Sequence, residues 1–305
     1  MKLLTYADAT RGPRVGVVVG DKVYDLQDAA KALNLNLPSE MVALLALGEH
    51  ALAMAGQTVT QMAKTGAAGR PLAEVKVLAP ILRPPKILAL AGNYTEHQRE
   101  SGWVVREKQE TTPYIFIKPA TAVNGTGAPI IIPRLTKAPD YEIELGVVIG
   151  KKGKYISAEK ALDHVAGYMI FNDVSARSLT IAEGRTKRER DAFFDWLNGK
   201  WFDTFATMGP YLVTSDEVGD PQSLAMQLKV NGEVRQDAST GLMIFTVAEL
   251  IAFISQFMTL EPGDIIATGT PSGVGAGRGV FLKPGDVIEA TIAKLGTLTN
   301  PVQGE

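Results

Sequence analysis

The sequence predicts a β-rich α+β protein, and three observations carry that expectation. Short apolar runs rich in Val and Ile recur along most of the chain, turn signals built on Gly, Pro, Asn and Asp separate them, and few helical patterns intervene. Many strands with few crossover helices argue against a doubly wound parallel sheet, in which the two element types alternate.

The first eighty residues read as a small α+β module. Residues 3–6, 15–19 and 22–24 have strand composition, with Gly20-Asp21 as a two-residue hairpin turn. The Ala/Leu-rich stretch 40–64 is helical in composition, with interruptions at Gly48 and Gly56. Two prolines in Ile81-Leu82-Arg83-Pro84-Pro85 continue neither element, which divides the chain into a small N-terminal domain over 1–80 and a larger one over 81–305. In the larger part, strands are expected at 86–91, 114–117, 143–149, 211–213, 228–230, 264–267 and 287–292. Asn231-Gly232, Pro262-Gly263 and Pro284-Gly285 supply turns between them, and helical patterns are confined to 96–100, 158–164, 185–196 and 246–256.

Composition excludes several classes of function. A formal net charge of -2 gives no positive field to hold nucleic acid or an anionic membrane. The absence of cysteine excludes disulfides, thiolate nucleophiles and sulfur-held zinc, and fits a reducing compartment. Charge and glycine break the N-terminal residues within a dozen positions, and no run reaches membrane-spanning length, so a cytoplasmic protein is expected.

The chemistry-bearing residues begin with Asp140-Tyr141-Glu142-Ile143-Glu144. Strand side chains alternate, so Glu142 and Glu144 point the same way. Such a pair is either an exposed acidic edge or, if buried, a site that protonates or takes a cation. Asp173, at the end of the apolar run 167–171, either caps a helix or converges with that pair. Three oxygen ligands of this kind suit Mg²⁺ or Mn²⁺. Arg177 follows Asp173 by four residues. His97 and Glu100, after the turn Gly92-Asn93-Tyr94, lie one helical turn apart. They are either a surface pair or an imidazole whose tautomer is fixed by a carboxylate, as a general base requires; His50 and His164 have no such neighbour and are read as structural. The stretch Thr268-Gly269-Thr270-Pro271-Ser272-Gly273 follows an apolar run, and its glycines allow backbone amides to approach a carboxylate, but it matches neither nucleotide-binding pattern. Basic residues Arg185, Lys187, Arg188 and Arg190, interleaved with Glu183, Glu189 and Asp191, read as a solvated face or as a lid donating an arginine.

Together these segments resemble the fumarylacetoacetate hydrolase family over residues 85–300. The likeness rests on Gly92 through Glu100, Phe116-Ile117-Lys118-Pro119, Asp140 through Gly150, Gly167 through Arg177, Gly199-Lys200, Gly263 through Gly275 and Leu282 through Asp286, in that order and spacing. The resemblance implies a mixed β-roll preceded by a small N-terminal domain, and a homodimer. It implies that Glu142, Glu144 and Asp173 hold Mg²⁺ or Mn²⁺, that His97 with Glu100 activates water, and that Lys200 stabilises an enolate. It further implies substrate contacts from Tyr94, Arg177, Gly269 and Thr270. The expected activity is hydrolysis of a C–C bond in a 2,4-dioxo acid such as fumarylpyruvate or a 2,4-dioxo-3-deoxy sugar acid, giving pyruvate and a carboxylic acid. The alternative is an isomerase or decarboxylase acting on 2-hydroxydienoates or 2-oxo diacids such as oxaloacetate. Arg177-Ser178-Leu179-Thr180 departs from the Arg-Asp-x-Gln found in many members, and the stretch 180–200 is longer; both bear on substrate choice.

Overall fold

The computed structural model describes residues 1–181 and 184–305; Glu183, one of the acids of the charged run, lies outside the described residues. The chain opens with a meander of β1 (Lys2–Asp8), β2 (Gly12–Val19) and β3 (Lys22–Asp25), followed by helices α1 (Leu26–Ala32), α2 (Met41–Ala46) and α3 (Glu49–Lys64). Then come β4 (Ile87–Ala91), α4 (Thr95–Glu100), β5 (Tyr114–Lys118), β6 (Ile143–Ile149), β7 (Val165–Asp173), α5 (Asp191–Asn198) and β8 (Ala206–Thr214). The remainder contributes β9 (Ala225–Val230), β10 (Glu233–Ser239), α6 (Val247–Phe257), β11 (Ile265–Ala267), α7 (Gly275–Arg278), β12 (Val287–Ile292) and β13 (Gly296–Gly304).

The main sheet runs β3-β2-β1-β8-β7-β6-β11-β4-β5, antiparallel except where β11 meets β4. A second sheet, β10-β9-β12-β13, covers one face of it, and the N-terminal helices cover part of the other. Period-two alternation produces two cores from one sheet. Leu145, Val147 and Ile170 pack with Leu228, Ile288 and Leu250, whereas Val148, Met169 and Phe171 pack with Leu3, Leu44 and Val59.

The β-rich expectation holds in this antiparallel, strand-dominated architecture. Buried residues from both sides of residue 80 share one core. β1 pairs with β8 at Lys2↔Val213 and Leu3↔Leu212, so the N-terminal strands extend the main sheet. Four local expectations differ. α3 runs unbroken through Gly56, because burial of Ala55 and Val59 outweighs the ~1 kcal/mol a helical glycine costs. Residues 158–164 form a 3₁₀ helix. Helix α5 starts at Asp191 instead of 185, since residues 186–190 are exposed and have no apolar face to bury. Strands β10 and β13, polar or Pro-containing, escape an apolar pattern. No described helix is long and apolar enough to cross a membrane.

Candidate metal centre and active-site cavity

Register builds the acidic cluster. Ile143 lies opposite Asn172 and Glu144 opposite Phe171, so even residues of β6 share a face with odd residues of β7. Glu142, Glu144 and Asp173 therefore meet on the face that carries Val148 and Phe171. Asp173 N donates to Glu142 O at 2.9 Å, and Glu142 N donates to Asn172 Oδ1 at 2.9 Å, which fixes the entry to β6. All three carboxylates are buried, and one oxygen from each lies within 4.8 Å of the others.

Three cations surround them. Lys200 Nζ donates to Glu142 Oε2 at 2.9 Å and Asp173 Oδ2 at 2.8 Å. Lys118, also buried, pairs with the other oxygen of Asp173 and donates to Val174 O at 3.1 Å. Arg177 bridges Glu142 and Asp140, its Nε 2.8 Å from Asp140 Oδ2. Burial alone would raise the Glu142 pKa, but Lys200 and Arg177 hold it well below the usual carboxylate range. Burial lowers the affinity of Lys200 for its proton, yet Asp173 and Glu142 more than offset this and its pKa is raised.

Glu144 differs. Its Oε2 accepts from Gly269 N at 2.8 Å, while its Oε1 is buried without a partner. Burial, then the charges of Asp173 and Glu142, push its pKa well above 4.5. A buried carboxylate oxygen with no donor, converging with two further carboxylates, is the donor set of a hard divalent cation. The residues fit Mg²⁺ or Mn²⁺.

A cavity of about 740 Å³ opens beside this cluster, with His97, Glu100, Glu142, Arg177, Lys200 and Thr270 in its wall. His97 Nδ1 lies 3.3 Å from Glu100 Oε2, which leaves Nε2 as the nitrogen able to exchange a proton with a ligand. Burial would raise the Glu100 pKa, but His97 and the Gly273 amide, which donates at 2.9 and 3.1 Å, bring it below its ordinary value. Asp140, fully buried, accepts from Gly275 N at 2.6 Å and Ala276 N at 3.0 Å, so one carboxylate ties Arg177 to the start of α7.

Gly277 on α7 faces Glu100 so closely that a Cβ there would collide with its side chain. Gly277→Ala is expected to push Glu100 off His97 and lower kcat/KM about a hundredfold, the cost of a small misplacement of reacting groups. Mn²⁺ affinity, read by calorimetry, should stay at the wild-type value; a parallel loss of metal would show that the whole site had shifted.

His97, Glu100, Lys200, Glu142, Glu144, Asp173, Arg177 and Thr270 thus gather around one cavity and the cluster beside it. Two substrate-contact expectations need correction. Tyr94 is buried in the core with its hydroxyl 3.5 Å from Met226 Sδ, because the strand-to-helix turn aims it inward. Gly269 is absent from the cavity wall; its amide orients Glu144, and its φ of 91° and contact with Asn93 leave no space for a side chain. The basic run follows its solvated-face reading, with residues 186–190 exposed. Arg185 pairs with Asp195 and Arg188 with Asp191, and Arg177 is the one arginine of the cavity wall among the described residues. Sequence reasoning assigned no role to Lys118, Asp140 or Gln236. Gln236 donates to Thr270 Oγ1 at 2.8 Å and Pro271 O at 2.9 Å and accepts from Ile143 N at 3.0 Å, pinning the glycine-rich loop to β6. The available signal was an amide at an inward position of β10, a strand whose polar pattern hid it.

Residues 86–303 match the family model described as fumarylacetoacetate (FAA) hydrolase C-terminal. The chain belongs to the fumarylacetoacetate hydrolase family. It is 43% identical over 307 residues to oxaloacetate tautomerase FAHD2A, mitochondrial, of Bos taurus, covering 99% of this chain and 91% of the relative. Among solved structures it resembles maleylpyruvate hydrolase from Sphingobium sp. SYK-6 in complex with manganese(II) and pyruvate, with a TM-score of 0.76, 31% identity and coverage of 100% and 99%. It also resembles 2-hydroxyhepta-2,4-diene-1,7-dioate isomerase from Mycobacterium marinum, with a TM-score of 0.71, 33% identity and the same coverage. Family members of this kind are enzymes, and the manganese complex of the first structure accords with the acidic cluster found here.

Proposed function

We propose that this chain is a divalent-metal keto–enol tautomerase of a small 2-oxo acid. The reading is carried by the near full-length likeness to a protein named as an oxaloacetate tautomerase. The site supports it by combining one base, one buried ammonium and a carboxylate cluster around a single cavity. C–C hydrolysis, the first expectation from the sequence, becomes the second reading; the likeness to maleylpyruvate hydrolase favours it.

In this reading Glu142, Glu144 and Asp173 hold the cation, which when bound acts as a Lewis acid toward the 2-oxo group. Glu100 keeps the His97 Nδ1–H in place, so Nε2 accepts the proton from C3 of the keto acid. The C–H electron pair becomes the C2–C3 double bond, and the carbonyl oxygen takes a proton from water, to which His97 returns the one it accepted. Lys200 stabilises the charge that develops on that oxygen. Thr270, held by Gln236, and Arg177, held by Asp140, border the space for the acid's carboxylate. Hydrolysis would use the same His97 to take a proton from water, and would then release pyruvate.

The test follows the enol absorbance of oxaloacetate with metal-stripped, Mg²⁺-loaded and Mn²⁺-loaded protein, with a lactate dehydrogenase assay for pyruvate. Metal-dependent acceleration of enol decay without pyruvate is expected. Inactivity here, with stoichiometric pyruvate from acylpyruvates, would replace the tautomerase reading with the hydrolase.

A further inference from the structure

The cavity wall has two unlike parts. Besides the polar groups it carries Trp103, which follows α4, Tyr114 and Phe116 of β5, and Phe193 and Trp196 of α5. Their rings support one another. Phe116 and Trp196 meet edge to face at 5.1 Å, Phe193 and Trp196 lie 6.0 Å apart, and Trp103 and Tyr114 meet at 6.2 Å. Trp103 packs directly on Gly92, where a Cβ would overlap its ring. Lys200 Nζ lies 5.3 Å from the Phe116 centroid and 5.7 Å from that of Trp196, which marks the border between the two parts.

We propose that this aromatic chamber binds an apolar group, aromatic or long aliphatic, carried by the 2-oxo acid at the end away from its carboxylate. The assignment rests on the 2-oxo-acid reading of the polar part. Size favours it: cavities of about 300–1,000 Å³ enclose ligands far larger than a four-carbon acid, and this one measures about 740 Å³. Charge favours it too. Among the described lining residues, the cations Arg177 and Lys200 are both committed to Asp140, Glu142 and Asp173, and neither is left to pair with a second carboxylate. A second carboxylate, or the hydroxyls of a sugar acid, would be desolvated against the rings without a partner. Phe193 is 57% and Tyr114 63% exposed, so an apolar guest covers ring surface that is otherwise wet.

The experiment measures dissociation constants of full-length, Mn²⁺-loaded protein by calorimetry. The ligands are pyruvate, 2-oxobutyrate, 2-oxohexanoate and phenylpyruvate, with 2-oxoglutarate as the diacid. Each added methylene should tighten binding about three- to fourfold, phenylpyruvate should bind more tightly than pyruvate, and 2-oxoglutarate should gain nothing over 2-oxobutyrate. Phe193→Ala should cost phenylpyruvate about fivefold and leave pyruvate unchanged, and Phe193→Lys should reverse the order in favour of the diacid. Normal pyruvate binding with a flat series, or an equal loss of pyruvate and phenylpyruvate in Phe193→Ala, overturns the chamber alone. Failure of every acid, pyruvate included, overturns the 2-oxo-acid reading and the chamber with it.

Discussion

Glu144→Gln is expected to remove metal-dependent turnover while making the metal-free protein more stable. Loss of one of three carboxylate ligands should lower kcat/KM about a thousandfold, the effect of several kcal/mol of lost charge stabilisation. The stability change has the opposite sign, because Glu144 is buried beside Asp173 and Glu142 with one oxygen unpartnered. Its folded pKa is raised by burial first and by those charges second. The stability linked to its proton is therefore complete below the ordinary carboxyl value of 4.5 and is lost as pH rises through the folded value. A neutral amide carries no such penalty. In a chelating buffer the variant should melt above the wild type at pH 8, with the gap closing toward pH 5. A variant that melts lower at pH 8, or a gap that widens in acid, would contradict the electrostatic account of the cluster.

Lys118→Met should give the largest loss of stability among single changes at the site. The ammonium is fully buried against Asp173, and removing one partner of a buried ion pair costs about 3–5 kcal/mol. A divalent cation restores positive charge to the same carboxylate and stabilises the folded state by mass action. Saturating Mn²⁺ should therefore raise the melting temperature of the variant more than that of the wild type. Thermal melts with and without Mn²⁺ decide the matter: equal rises would mean that Lys118 only fills space.

What the sequence made legible follows from which interactions are local. Alternation along 142–149 placed Glu142 and Glu144 on one face, and the antiparallel register did no more than add Asp173 opposite. The His97–Glu100 contact is an i,i+3 helical pair, set by a single turn of α4. Lys118, Asp140 and Gln236 were hidden because their partners are distant in sequence. Lys118 meets Asp173 across 55 residues and Gln236 meets Thr270 across 34, and no periodicity records such meetings. Tyr94 misled for the complementary reason: it sits within a motif that touches the site, but its own side chain turns into the core. The shared core of the N-terminal strands was likewise invisible, since the Pro84-Pro85 break reports a local stop and nothing about the pairing of β1 with β8.

That pairing imposes an order on the birth of the protein. Met1 and Thr214 hydrogen-bond across 213 residues, and ribosomes add about 5–20 residues each second, so β1 waits roughly 10–40 s for its partner strand. Residues 76–78 cover the Thr5–Ala7 half of the β1 edge early, but throughout that interval its Lys2–Leu3 end stays unpaired, the kind of surface that recruits neighbouring chains or a chaperone. Gly269, whose amide donates to Glu144, is made later still. The nascent chain thus carries its acidic triad for some time before the loop that orients it exists, and the cation site matures at the close of synthesis.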